Sequence, residues 1–346
     1  MFVSSIKVLS SLMKKRKVIL FYLLLMLIAP SAISQDFHFS QFHSSPLTLN
    51  PAMTGFMLGK YRIGANYRNQ WGSVKSKYET YSASFDMNFM KCKWKKDYFA
   101  VGLVFAGDKA GELSLRTNQI GLSFAYSKGF GSRVKHSLSI GFQGNFYQRG
   151  IDLTNAIYPD NIVESNNISK SISILDLSVG MMWHAQLADR LNMYVGFSAS
   201  HINRPVNSFL GDKKSRLAMK YTASAGALVE LGNKWNIIPS AMFQKQGQAM
   251  EGLAGTYLQY IIGEDYYSET AIAFGAWGRF AKPVADAFIL GARADIKNVL
   301  IGVTYDFNLS ELKAASNGRG AFEVSAQYII PVSCQKRAKG LYCPKF

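Results

Sequence analysis

Long apolar runs are missing from this chain. The one extended apolar stretch, Val18 to Ile28, is about eleven residues, whereas a helix needs about 20 to cross a ~30 Å hydrocarbon core. Transmembrane helices are therefore excluded. Cysteine is scarce, with three residues, and so is proline, with nine. Three cysteines cannot build a disulfide scaffold or a cysteine-rich metal centre, and few prolines leave strand ladders free to pair. Acidic residues are also short, 22 against 39 Lys and Arg, giving a net charge of +17. Five of those cations, Lys7, Lys14, Lys15, Arg16 and Lys17, precede the first acid, Asp36, so a chain starting at Gln35 carries about +12. Excess basic charge is one footprint of nucleic-acid binding. No clustered basic helix or recognition motif accompanies it, so nucleic acid is not an expected partner.

What the chain has instead is alternation. Val299, Ile301, Val303, Tyr305 and Phe307 alternate with Leu300, Gly302, Thr304 and Asp306. After a polar break, Phe322, Val324, Ala326, Tyr328 and Ile330 alternate with Glu323, Ser325, Gln327 and Ile329. Successive strand side chains point to opposite faces, so each run has one apolar face and one mostly small or polar face. Runs of about nine to eleven residues match a tilted strand crossing a bilayer. The pattern recurs upstream from Tyr61 through Ala294, less regularly over Trp235 to Phe243, where Pro239 demands a bulge or local gap. About fourteen strands result, an even number as a single-chain barrel prefers. The fold class is all-β, a transmembrane antiparallel up-and-down barrel. Mean hydropathy near zero (+0.01) agrees, because alternation averages out.

The connections sort into two sets. Residues 185–190, 232–234 and 297–298 make short ones, while 148–171, 202–216 and 308–319 make long ones. Outer-membrane barrels keep short turns in the periplasm and long loops outside. Residues 91–97 and 127–136 stand out as moderate, basic turns on the short side. The inward phase mixes Arg62, Arg68, Lys220, Arg279 and Arg293 with Asp86, Asp176, Glu230, Asp295, Asp306 and Glu323. Small inward residues leave space for a plug, and a closed lumen is the favoured reading over an open channel.

The ends divide further. Lys14 to Lys17, the apolar stretch and Ala32-Ile33-Ser34 form a secretory signal over residues 1–34, with Met13 as an alternative start. Residues 35–59 do not alternate, and Pro46 and Pro51 prevent ladder pairing. They read as an ordered segment on the periplasmic side leading into the barrel, with the lumen as the other place they fit. The barrel occupies residues 60–331, and residues 332–346 form a periplasmic tail. His38, His43, His136, His184 and His201 are too scattered for a metal site. His184 shares the inward phase with Asp176, but no serine completes a catalytic set. Asp152, Asn155, Asp160, Asn161 and Glu164 read as a solvated loop. No catalytic, cofactor or metal residues are assigned.

Taken together, several short motifs carry a resemblance. Ser40-Gln41-Phe42, Asn50-Pro51-Ala52 and Gly55, then Tyr67-Arg68 with Gln70-Trp71, resemble the start of the PorP/SprF family of type IX secretion outer-membrane proteins. Tyr305-Asp306-Phe307, Gly320, Glu323, Tyr328 and the closing Cys334, Cys343-Pro344 and Phe346 resemble that family's end. His43 is less bulky than the family's usual residue, and Met53 stands where the family usually has an aromatic. The resemblance implies a non-enzymatic barrel of the secretion and gliding machinery, embedded in outer-membrane lipid. It implies help in exporting or retaining large adhesins with type B C-terminal sorting domains, and contact with periplasmic components of the secretion motor. An outer-membrane pore for small solutes is the alternative.

In an oxidising periplasm a disulfide between Cys334 and Cys343 closes the short tail loop and leaves Cys92 unpaired. Thiol labelling of the folded, unreduced protein is expected to modify Cys92 at most; free labelling of both tail thiols would refute the pairing.

Overall fold

The computed structural model describes residues 36–70, 78–90, 96–111, 115–131, 135–152, 171–265, 268–281, 284–309 and 319–330. The expected signal peptide, the tail, Trp71, Cys92 and the acidic residues of the loop from Asn155 to Glu164 lie outside the described residues. Fourteen antiparallel strands close into one barrel. In order they are β1 Tyr61–Gln70, β2 Tyr78–Phe89, β3 Asp97–Ala110, β4 Leu115–Phe130, β5 His136–Gly150, β6 Ser171–Ala188 and β7 Leu191–Ser200. Then follow β8 Lys220–Glu230, β9 Trp235–Gln246, β10 Ala249–Asp265, β11 Ser268–Ala281, β12 Val284–Lys297, β13 Val299–Asn308 and β14 Arg319–Ile330. Each strand pairs with its sequence neighbours, and β1 closes on β14 with Arg68 opposite Glu323. No edge is left, which a barrel in lipid requires.

Alternation has its expected consequence at every strand. Ile63, Leu103, Phe124, Phe142, Leu177 and Phe274 project outward and are exposed, where hydrocarbon would cover them. Arg62, Asp86, Asp176, Arg293, Asp306 and Glu323 point inward and are buried. Strand lengths run from ten residues in β1 to 18 in β6, so the longer strands reach past the bilayer core. Expected boundaries were accordingly too tight; β4 runs on to Phe130, which shortens the basic turn before β5.

Pro239 sits inside β9 opposite Thr256 of β10, a ladder that continues unbroken. Towards β8 the pairing skips from Gly226–Ser240 to Val229–Ile237. The missing donor of proline has opened a local gap on that side only. The two ends of the barrel differ as the connections foretold. One end carries the short turns 189–190, 231–234 and 298, and the other carries the long connections 151–170, 201–219 and 309–318. Three connections at the long-loop end, 111–114, 247–248 and 282–283, are nevertheless short.

Val303 lies on the outer face and Thr304 is buried on the inner one. An Arg at Val303 is expected to impair assembly by about 2–4 kcal/mol if it faces the bilayer midplane. An Arg at Thr304 should leave insertion intact and disturb only the lumen. Heat-dependent gel mobility of the two variants checks this, and the reverse ranking would mean the faces are inverted.

Candidate functional site

Residues 36–59 run down the lumen and fill it. Asp36 lies at the long-loop end, near His201, Lys220 and Gln246. Gly59 lies at the short-turn end, its carbonyl accepting from Asn88 at 2.9 Å. The prolines that forbid a ladder here permit short turns instead: Phe42–Ser44, Pro46–Leu49 and Pro51–Met53 each wind once. Phe42, Leu49, Met53 and Phe56 pack against Tyr194, Leu228, Ile238, Met242, Leu253 and Trp277 of the wall. Burial of side chains this size is worth roughly 1.5–3 kcal/mol apiece. One side of the lumen, along β7 to β12, thus carries an apolar patch set among polar residues such as Gln259 and Asp295, and the plug's apolar residues face that patch.

The other side is polar, and here the motifs from the two ends of the chain meet. Glu323 accepts the backbone N–H of Ser40 at 2.7 Å and of Gln41 at 3.0 Å, one on each carboxylate oxygen. Asp306, on the neighbouring strand, accepts from the Ser40 hydroxyl at 2.9 Å, from Arg68 at 3.1 Å and from Arg279 at 2.8 Å. Arg68 also donates to the carbonyl of His38 at 2.8 Å. Gln41 accepts from Ser325 at 2.7 Å, and Gly302 leaves the room it occupies, since a Cβ there would collide with the Gln41 amide. Every charge in this buried cluster is hydrogen-bonded, the condition for burying it at all.

Below it, Asn50 bonds in three directions. Its amide N–H₂ donates to the carbonyls of Met181 and Phe197, at 3.1 and 3.3 Å, and its oxygen accepts from the N–H of Ala52 at 2.9 Å. The Asn50-Pro51-Ala52 motif is therefore a rivet between plug and wall. Gly141 and Gly180 are required beside it, because a side chain at either would strike Pro51 or Asn50. Gly55 turns with φ +71° and donates to Asp86 at 2.7 Å. Asp86 is held in turn by Arg62 at 2.8 Å, and Arg62 reaches the carbonyls of Met53 and Phe56.

At the long-loop end a fourth fastening holds Asp36. Its carboxylate lies 2.7 Å from His201 Nε2 and 3.0 Å from Lys220, while His201 Nδ1 lies 2.8 Å from Asp176. Burial alone would raise the Asp36 carboxyl, but Lys220 and His201 outweigh it and hold the group far below the usual carboxylate range. Burial works to lower His201, yet its bonds to Asp176 and Asp36 prevail and push it up to about 9. The His201 contribution is thus complete below its ordinary value of 6.5 and lost as pH rises through about 9. That of Asp36 is complete above 3.8 and lost only in strong acid.

Of the motif residues, Ser40, Gln41, Asn50, Gly55, Arg68, Asp306 and Glu323 converge on the plug. Phe42, Pro51 and Ala52 are buried with it. Gly320 lies against the Asp306 backbone, while Gln70 ends β1. Tyr67, Tyr305, Phe307 and Tyr328 project outward instead. Pro344, Phe346 and the two tail cysteines fall outside the described residues. His184 is inward, as its phase required, but it is not the partner of Asp176: eight positions along the same strand, it lies beside Phe56. His201, just past the end of β7, takes that place, and sequence phase could not place a residue outside the strand.

A family model for the type IX secretion system membrane protein PorP/SprF matches residues 31–328. The chain belongs to that family. No curated protein matches it. Among solved structures, the Ralstonia pickettii toluene transporter TbuX is similar over 83% of this chain and 94% of its own, at 10% identity and a TM-score of 0.51. A mutant of the monoaromatic hydrocarbon channel TodX is similar over 82% and 93%, again at 10% identity and 0.51. At such identities the likeness concerns the fold alone, a membrane β-barrel; membership of the type IX secretion family rests on the family model.

Replacing Arg62 by Met should leave Asp86 buried without its cation and cost about 3–5 kcal/mol. Removing both charges, with Arg62→Met and Asp86→Leu, should cost less than the sum of the single changes. Urea unfolding of the purified barrel measures the cycle, and strictly additive losses would deny the coupling.

Proposed function

We propose that this barrel is an accessory of type IX secretion that helps export large adhesins with type B C-terminal sorting domains or retain them at the cell surface. The observation that carries the reading is the filled lumen. Residues 36–59 are fastened to the wall at four levels, so the barrel as it stands offers partners its rims and loops instead of a passage. Loop lengths favour the long-loop end as the external one. That end then meets the adhesin, and the basic short-turn end meets periplasmic components of the secretion motor. The role is one of holding and positioning, without bond chemistry.

A small-solute pore is the second reading. It draws on the apolar patch of the lumen, on the TbuX and TodX likeness, and on a small polar cavity beside the plug lined by Gln119, Gln143, Asn145, Tyr147 and Lys220. Two measurements separate them. Deleting the gene should remove specific large adhesins from the cell surface, and an unchanged surface proteome would defeat the secretion reading. In planar bilayers the intact barrel should conduct little, whereas a variant lacking residues 36–58 should conduct readily. Steady conductance by the intact barrel would favour the pore.

A further inference from the structure

We propose that the cationic loop between β7 and β8, residues 201–219, is a docking site for an acidic segment of a polypeptide outside the cell. The inference deepens the surface-retention reading and rests on the same orientation of the barrel.

The loop is long but not slack. At its root Asn203 bonds the edge of β6 twice, donating to the carbonyl of Leu175 at 2.8 Å and accepting from the N–H of Leu177 at 3.1 Å. Its two arms pair, with the N–H of Asn207 on the carbonyl of Ser215 at 2.8 Å and that of Leu217 on Pro205 at 2.9 Å. His201 at its start and Lys220, the first residue of β8 just past its end, both grip Asp36 of the plug. A loop held at so many points loses little conformational freedom when something binds it.

Its exposed charges are predominantly positive, four cations against one acid. Arg204, Lys213, Lys214 and Arg216 are all exposed, and among the described residues no ion pair neutralises any of them. The single acid, Asp212, turns its carboxylate to the backbone N–H of Lys214 at 2.8 Å. Arg216 donates to the carbonyl of Arg204 at 3.0 Å, which fixes its guanidinium while leaving its charge uncancelled. Beside these cations Leu210 stands at the loop tip, 69% exposed. Cations around an apolar point fit a peptide that carries carboxylates around an apolar side chain.

The phosphates of the outer leaflet are the competing source of negative charge, and the geometry disfavours them. Asn207 is tied at 2.8 Å to Arg149, which occupies the luminal phase of β5. The loop is therefore drawn inward over the mouth, away from the ring of lipid around the wall.

The test uses the purified full barrel in detergent, with fluorescently labelled poly-L-glutamate as the probe and binding read by anisotropy. The wild-type barrel should bind it in a salt-sensitive manner. K213E/K214E should weaken binding by at least about tenfold, since reversing two charges turns attraction into repulsion. The matched reversal K128E/K234E at the opposite end should leave it within about twofold. Heat-dependent gel mobility verifies that both variants are folded. No binding by the wild type, or equal loss in the two variants, would overturn the proposal. So would a loop that ignores poly-L-glutamate but captures lipopolysaccharide-bearing vesicles. Because the measurement is made on the isolated barrel, its failure removes this docking surface and leaves the secretion reading to the gene-deletion survey.

Discussion

A closed barrel of fourteen strands must satisfy its inward polar groups without help from bulk water, and the structure depends on how Glu323 and Asp306 meet that demand. Both carboxylates are fully buried. Glu323 spends its two oxygens on successive backbone N–H groups of the plug, and Asp306 gathers Arg68, Arg279 and Ser40. Remove the plug and Glu323 loses both of these partners. Remove Glu323 and two plug N–H groups are stranded. Such reciprocal dependence makes barrel and plug one structure, because an unmatched buried polar group costs far more than a matched pair gains.

An apolar patch along β7 to β12 and a charged cluster on β13, β14 and β1 set how the plug is oriented. Its turns place Phe42, Leu49, Met53 and Phe56 towards β7 to β12. The backbone groups and the small polar side chains of Ser40, Gln41 and Ser44 turn towards β13, β14 and β1. Apolar packing contributes free energy roughly in proportion to the area it buries. The hydrogen bonds supply the register, since each joins a particular plug group to a particular wall group. Glycines at 141, 180 and 302 add a steric condition, as only that register puts Pro51, Asn50 and Gln41 opposite the empty positions.

Much of this was legible in the sequence, for a physical reason. Strand alternation in a membrane barrel is enforced twice, by lipid outside and by the packed lumen inside, so it survives as a period of two over whole strands. Pro239 even disclosed the ladder gap, because a missing N–H is a local property of the residue. The plug was harder to place. A segment that does not alternate announces only that it is no strand, and whether it lies beneath the barrel or within it depends on the volume left by residues far away in sequence. The pairing of His201 with Asp176 was invisible for the same reason: phase predicts direction along a strand and fails one residue past its end. The family motifs point to the plug only in retrospect, when Ser40, Arg68, Asp306 and Glu323 are seen to share one cluster.

The four fastenings are not equivalent. The Arg62–Asp86 and Glu323–Asp306 clusters lie deep, where leaving a charge unpaired is prohibitive. Asn50 is bonded to strand carbonyls that cannot move without breaking the wall. The Asp36 fastening differs, because His201 and Lys220 stand at the ends of a loop, and Asp36 and Lys220 keep some exposure. Local opening draws on the least buried contacts first, so any movement of the plug begins with its first residues. Whatever acts on the loop between β7 and β8 acts on two of the groups that hold Asp36. In a barrel whose lumen is otherwise locked by mutual burial, that makes this loop a place where a contact at the long-loop end reaches the plug directly.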